Sequence, residues 1–125
     1  ESLAYYASSS YSSQYGLLFV VSGIEPANEE KARQLIADQL KVMQNGEITD
    51  LELAQTKAML INQLKEALDS PRGQIEIFDQ YKALDEPFNL DTWTARWQSV
   101  SKEDVQKVAQ DIKLEATYFL CGKGE

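Results

Sequence analysis

The sequence predicts an α+β fold: a hairpin plus a C-terminal strand in an antiparallel or mixed sheet, covered on one face by about five helices. Three observations carry this reading. Two runs rich in Tyr, Val and Phe, at residues 2–10 and 15–23, suit a pleated, half-buried surface and are joined by the short link Tyr11-Ser12-Ser13-Gln14. From Asn28 onward, apolar residues recur at helical spacing between successive capping signals. A last apolar run at residues 116–121, Ala-Thr-Tyr-Phe-Leu-Cys, reads as a closing strand. The expected order is β-β-α-α-α-α-α-β, a layered arrangement.

Each helix has its own start signal. Gly23-Ile24-Glu25-Pro26 breaks the second strand, and Asn28 can cap a helix whose first turn holds Glu29 and Glu30. Ala32, Leu35, Ile36, Leu40 and Met43 form its apolar stripe, and Asn45-Gly46 ends it. Thr49-Asp50-Leu51-Glu52 is a capping box, opening a helix with Leu53, Leu60, Ile61, Leu64 and Leu68 on one side. Ser70-Pro71 restarts the chain into a helix expected to reach about Leu84, with Ile75, Phe78 and Tyr81 buried. Gly73 near its start suggests a tight contact or a bend.

Residues 85–89, Asp-Glu-Pro-Phe-Asn, form a loop by composition. Asp91 is expected to cap a short helix carrying Trp93 and Trp97 on one face, a pair read as packing rather than as a ligand cage. Ser101 caps the last helix, with Val105, Val108, Ala109 and Ile112 inward.

Composition narrows the function. A chain of 125 residues is expected to make one domain, and its net charge of −8 would repel a phosphate backbone or an anionic bilayer. Nucleic-acid and membrane partners are therefore not expected. No apolar run reaches the roughly 18 to 20 residues that span a bilayer, and a single cysteine fits a reducing compartment, so a cytoplasmic location is expected. The chain has no histidine and one cysteine, Cys121, which excludes both a catalytic zinc site and an activated thiol of its own. The acidic groups Glu29-Glu30, Glu47/Asp50/Glu52 and Asp85-Glu86 read as caps and solvated faces. The abrupt opening inside a strand pattern suggests a piece of something longer, with a first strand and helix upstream.

The ordered motifs resemble one family. Ser2-Leu3-Ala4-Tyr5 entering a Ser-rich strand, the Gly16-Leu17-Leu18 strand, the Thr49-to-Leu53 cap, the Ser70-Pro71-Arg72 restart and the helix from Val100 to Ala109 are together similar to the M16 (insulinase and mitochondrial processing peptidase) family. The match is to the later part of a C-terminal, non-zinc half-domain, most similar to bacterial members that lack the zinc motif and work beside a zinc-bearing paralogue. The resemblance implies that the whole chain is one piece of such a half-domain. It also implies that zinc, absent from this chain, sits in a partner domain or paralogue, and that a peptide is the substrate.

The family's substrate-binding Arg/Tyr pair would place its Tyr at Tyr5 and its Arg upstream of Glu1. Tyr6, one residue on, is expected on the opposite strand face. The implied function is a non-catalytic substrate-binding or structural half-domain, with Tyr5 touching substrate and no catalytic residue or metal ligand here. The alternative is a non-enzymatic protein–protein interaction module of the same architecture. An exposed sheet edge could also pair two copies.

Overall fold

The computed structural model describes residues 3–82 and 87–122. Its elements are β1 (Ala4–Ser12), β2 (Leu17–Ile24), a 3-10 turn (Pro26–Asn28), α1 (Glu29–Gln44), α2 (Asp50–Leu68), α3 (Pro71–Lys82), α4 (Leu90–Ser99) and α5 (Lys102–Asp111). The expected α+β order therefore holds through the fifth helix. The closing strand does not form: residues 116–121 are irregular, and the sheet among the described residues has two antiparallel strands. Strand character is completed by a neighbour's ladder bonds rather than fixed by propensity. Here Tyr118 and Phe119 lie beside β2 and α1, while Tyr118 and Leu120 stand largely exposed. The expected helix end near Leu84 and the loop residues Asp85-Glu86 lie outside the described residues.

The chain divides into two compact units, Glu1–Lys41 with Ile112–Glu125, and Val42–Asp111. In the first, the hairpin turn falls at residues 13–16, so Tyr11 and Ser12 belong to β1 rather than to the link. Ala32 of α1 is buried, and Leu35 and Ile36 flank it along a groove under the hairpin. Ala4, Ala7 and Ala32 contribute small side chains to the lining of that groove.

The second unit is a helical cluster. α1 ends as its sequence requires: Gly46 adopts φ +74°, its N–H bonds the Met43 carbonyl at 3.0 Å, and the Glu47 N–H bonds Val42 at 3.0 Å. That 6→1 and 5→2 pair caps the last carbonyls. Thr49 and Glu52 form the expected reciprocal box, with Glu52 N–H to Thr49 Oγ1 at 3.1 Å and Thr49 N–H to Glu52 Oε2 at 2.9 Å. α5 opens the same way, with Ser101 and Asp104 exchanging bonds of 2.8 and 3.1 Å. Ser70 Oγ accepts from the Gly73 N–H at 3.1 Å, as expected for the cap of α3.

Burial departs from the predicted faces at several positions. On α2 the inward stripe is Leu53, Lys57, Ile61, Leu64 and Leu68, at i, i+4, i+8 spacing; Leu60 lies outside it. Lys57 replaces an apolar residue because its ammonium donates to the Gln98 carbonyl at 2.9 Å and also to that of Val100, at the end of α4, where a cation complements the helix dipole. On α3 the buried residues are Gly73 and Ile77, whereas Ile75 and Phe78 face out. Gly73 makes the expected tight contact: a Cβ there would run into the Ala67 carbonyl of α2. This close approach turns the Gly73–Ile77 line, not the Ile75–Phe78 line, toward α2. On α5, Ala109 is buried at 3% exposure and Val108 is outside. α4 is capped by Asn89 and not by the expected Asp91: the Asn89 side chain accepts from the Thr92 N–H at 2.9 Å, and Asp91 lies within the first turn. Fully burying side chains such as Ile61, Leu64 and Ile77 contributes roughly 1.5–3 kcal/mol each.

Two outcomes test the caps. Thr49→Ala should lower stability by about 1 kcal/mol in urea unfolding, because it removes the acceptor for one orphan N–H and frees Glu52. Acid should weaken both boxes. The side-chain and backbone hydrogen bonds of Thr49 hold the Glu52 carboxyl below its ordinary value, and the backbone and hydroxyl of Ser101 do the same for Asp104. Their contribution is therefore present above the unfolded carboxylate range and is lost as pH falls through the folded values. Far-UV circular dichroism should show this fraying, and Glu52→Gln should remove part of the acid dependence.

Candidate functional site

Tyr5 lies at an irregularity in the hairpin. Ala4 pairs with Ile24 and Tyr6 with Gly23, so β1 advances two residues while β2 advances one. Tyr5 is the surplus residue, a β-bulge. From Tyr6 onward the register is regular, Ala7 facing Ser22 and Ser8 facing Val21.

The bulge changes which residues share a face. Val20, Ser22 and Ile24 alternate onto one face of β2, and with them, as cross-strand partners, come Ala7 and Ala4. Ala4, Ala7, Val20 and Ser22 line the groove against α1. In an unbroken strand Ala4 and Ala7, three apart, would point oppositely. With one residue inserted they share the α1 face, and both Tyr5 and Tyr6 are left outside the groove. The expectation that Tyr6 lies on the face opposite Tyr5 is thus corrected, because the strict two-residue period does not survive the bulge. Tyr5 is 71% exposed and Tyr6 58%.

The bulge is held from β2. The Ser22 hydroxyl donates to the Tyr6 carbonyl at 3.0 Å. Gly23, facing Tyr6, carries the Tyr6 ring across its backbone: a Cβ at this position would lie 2.8 Å from Tyr6 Cδ1 and closer still to Cε1. The sequence marks Gly23 only as the start of a strand break, whereas β2 runs through it to Ile24, and Ser22 carries no mark of its own. The available signal was the glycine itself, since an isolated Gly within a strand pattern marks a bulge or a close backbone approach.

A phenol placed this way is a neutral, solvent-facing hydrogen-bond donor, able to meet the carbonyl oxygen of an extended chain alongside the hairpin. It can neither activate water nor bind zinc as part of a usual site. The donor set of the chain does not fit zinc: there is no histidine, the one cysteine, Cys121, is exposed, and no group of three His, Cys, Asp or Glu side chains among the described residues converges on one point. Several of the acidic residues have other partners. Glu52 and Asp104 are in their caps, Glu29 pairs with Arg33, Glu76 with Arg72 at 2.8 Å, and Asp50 with Lys102 at 2.9 Å.

The aromatic residues of the helical unit pack on one another. Tyr81 meets Trp93 at 4.4 Å and Phe88 at 5.1 Å between ring centroids, and Arg96 lies 4.9 Å over the Trp93 ring. Burial raises the Tyr81 phenol above its ordinary pKa, as befits a packing residue. No helix among the described residues is long and apolar enough to cross a membrane.

Comparison with known proteins follows the same lines. Residues 1–60 match the family model described as the peptidase M16 inactive domain. The chain is 42% identical over 121 residues to the "Probable inactive metalloprotease YmfF" of Bacillus subtilis (strain 168), a match covering 97% of this chain and 28% of that protein. A crystal structure of a conserved protein from Enterococcus faecalis V583 is similar with a TM-score of 0.77 and 36% identity, over 86% of this chain and 26% of that one. The chain therefore spans about a quarter of the length of these relatives. With the hairpin, the ordered caps and these matches in agreement, the chain belongs to the M16-like proteins, as a C-terminal domain of the inactive kind.

Proposed function

We propose that this domain is a non-catalytic wall of a peptide-binding chamber, in which Tyr5 positions the carbonyl of an extended peptide. The observation that carries the reading is the placement of Tyr5: a bulge residue, 71% exposed, outside the groove that the hairpin makes with α1. Bulges are enriched next to active sites because they re-aim one side chain without dissolving the strand. An extended peptide can run beside a strand edge through main-chain hydrogen bonds, and side chains at that edge then select its register.

In this reading the chain binds and orients, while hydrolysis belongs to a zinc-bearing domain or paralogue. The Tyr5 O–H donates to the carbonyl oxygen as negative charge develops on it. A phenol O–H donates such a bond without a proton being lost or gained by the protein. The net charge of −8 favours approach of basic or neutral peptides through its long-range field. The relative from Bacillus subtilis carries the description "Probable inactive metalloprotease", which accords with a member that contributes binding surface rather than chemistry.

The test is peptide hydrolysis, with bound zinc quantified, by the full-length protein alone and mixed with a paralogue bearing the His-x-x-Glu-His motif. Activity is expected only in the mixture, and Tyr5→Phe should lower kcat by about 10²- to 10³-fold, the usual consequence of losing one oxyanion donor. Zinc-dependent activity of the full-length protein alone would overturn the assignment of hydrolysis to a partner. Inactivity in every combination would favour a domain retained for protein–protein interaction.

A further inference from the structure

We infer that Tyr6 is a positioning residue for Tyr5: its ring, seated over Gly23, fixes the bulge from which the Tyr5 phenol projects. The inference deepens the reading of Tyr5 as a carbonyl donor and rests on it for its functional part. Its structural part rests on the hairpin alone.

A bulged residue has no cross-strand partner, so its direction is set by what holds its neighbours. On one side, Ala4 pairs with Ile24 and sits in the α1 groove. On the other, Tyr6 is held twice. Its carbonyl accepts the Ser22 hydroxyl at 3.0 Å, and its ring crosses Gly23 so closely that no Cβ fits between them. An aromatic ring laid over a strand glycine covers backbone that the glycine leaves bare and pins the register at that pair.

Every other pair from Ala7 to Ser12 is regular, so the surplus residue could in principle migrate along β1. Moving it one place would turn Tyr6 into the bulge and bring Tyr5 opposite Gly23. Gly23 seats one ring, and its occupation by Tyr6, with the Ser22 hydroxyl on the Tyr6 carbonyl, leaves Tyr5 as the surplus residue. The seat uses the ring: the atoms nearest to where a Cβ of residue 23 would stand are Cε1, Cδ1 and Cζ of Tyr6.

The experiment is a double-mutant cycle in the full-length protein, assayed with the zinc-bearing paralogue. Alongside it, hydrogen–deuterium exchange is measured on peptides covering β1 and β2. Tyr6→Ala is expected to lower kcat by about tenfold with little change in KM, and to speed exchange in β1. Tyr6→Phe should behave as the unmodified protein. In a Tyr5→Phe background Tyr6→Ala should cost nothing further, because Tyr6 acts through Tyr5. Gly23→Ala should reproduce the Tyr6→Ala exchange pattern by expelling the ring.

Full additivity of the two tyrosine substitutions, or an effect of Tyr6→Ala on KM alone, would overturn the positioning role. So would loss of activity in Tyr6→Phe. If Tyr5→Phe itself leaves turnover unchanged, the carbonyl-donor reading fails. The exchange data then decide separately whether Tyr6 holds the bulge: unchanged β1 exchange in Tyr6→Ala would refute that too.

Discussion

A single surplus residue in β1 governs what the hairpin can present. Side chains alternate strictly along a strand, so one inserted residue exchanges the two faces for everything beyond it. Without the insertion at Tyr5, Ala4 and Ala7 could not both line the groove they share with α1. A bulky residue would then meet the buried Ala32 region, or one alanine would be spent on solvent. With the insertion, small residues line the groove and two tyrosines stand outside it. The same local change therefore serves the core and the candidate site at once.

The helical unit depends on closed helix ends more than on a large core. Its buried side chains are few, namely Ile61, Leu64, Ile77 and Ala109 among the described residues. Ends that are satisfied locally leave less for packing to compensate. Some are tied across helices. The Gln44 side chain donates to the Ala109 carbonyl at 3.0 Å, while Gln106 and Gln110 each donate to the Gln44 carbonyl at 3.1 Å. Lys57 does the equivalent at the end of α4. These bonds fix where one helix stops against another, which apolar contact alone specifies loosely.

What was legible in the sequence follows from how local each cause is. Thr49–Glu52, Ser70, Ser101 and Gly46 act within a few residues of themselves, and all appear as the sequence predicts. The inward face of a helix is a relation between two elements. Ile75 and Phe78 are as apolar as Ile77, and only the close approach of Gly73 to Ala67 decides between them. Lys57 escaped notice because a lysine at an inward position makes sense only when carbonyls wait at the far end of its stem. Tyr5 was found through the resemblance of the segment around it, but the bulge beneath it was not. Its cause is split between a glycine and a serine some sixteen residues away.

Residues 4–24 contain no charged side chain, although the chain as a whole carries −8. The hairpin is thus an electrically bare ribbon, with Leu17 to Val21 partly exposed and no further strand paired to it among the described residues. Natural edge strands are commonly guarded by lysine or proline against pairing with a neighbour, and this one has neither. The repulsion between two bodies of net charge −8 has the reach of a Debye length. Salt shortens that reach while leaving main-chain pairing almost untouched. Ionic strength is therefore the variable that sets how far the charge of the chain acts around this bare ribbon.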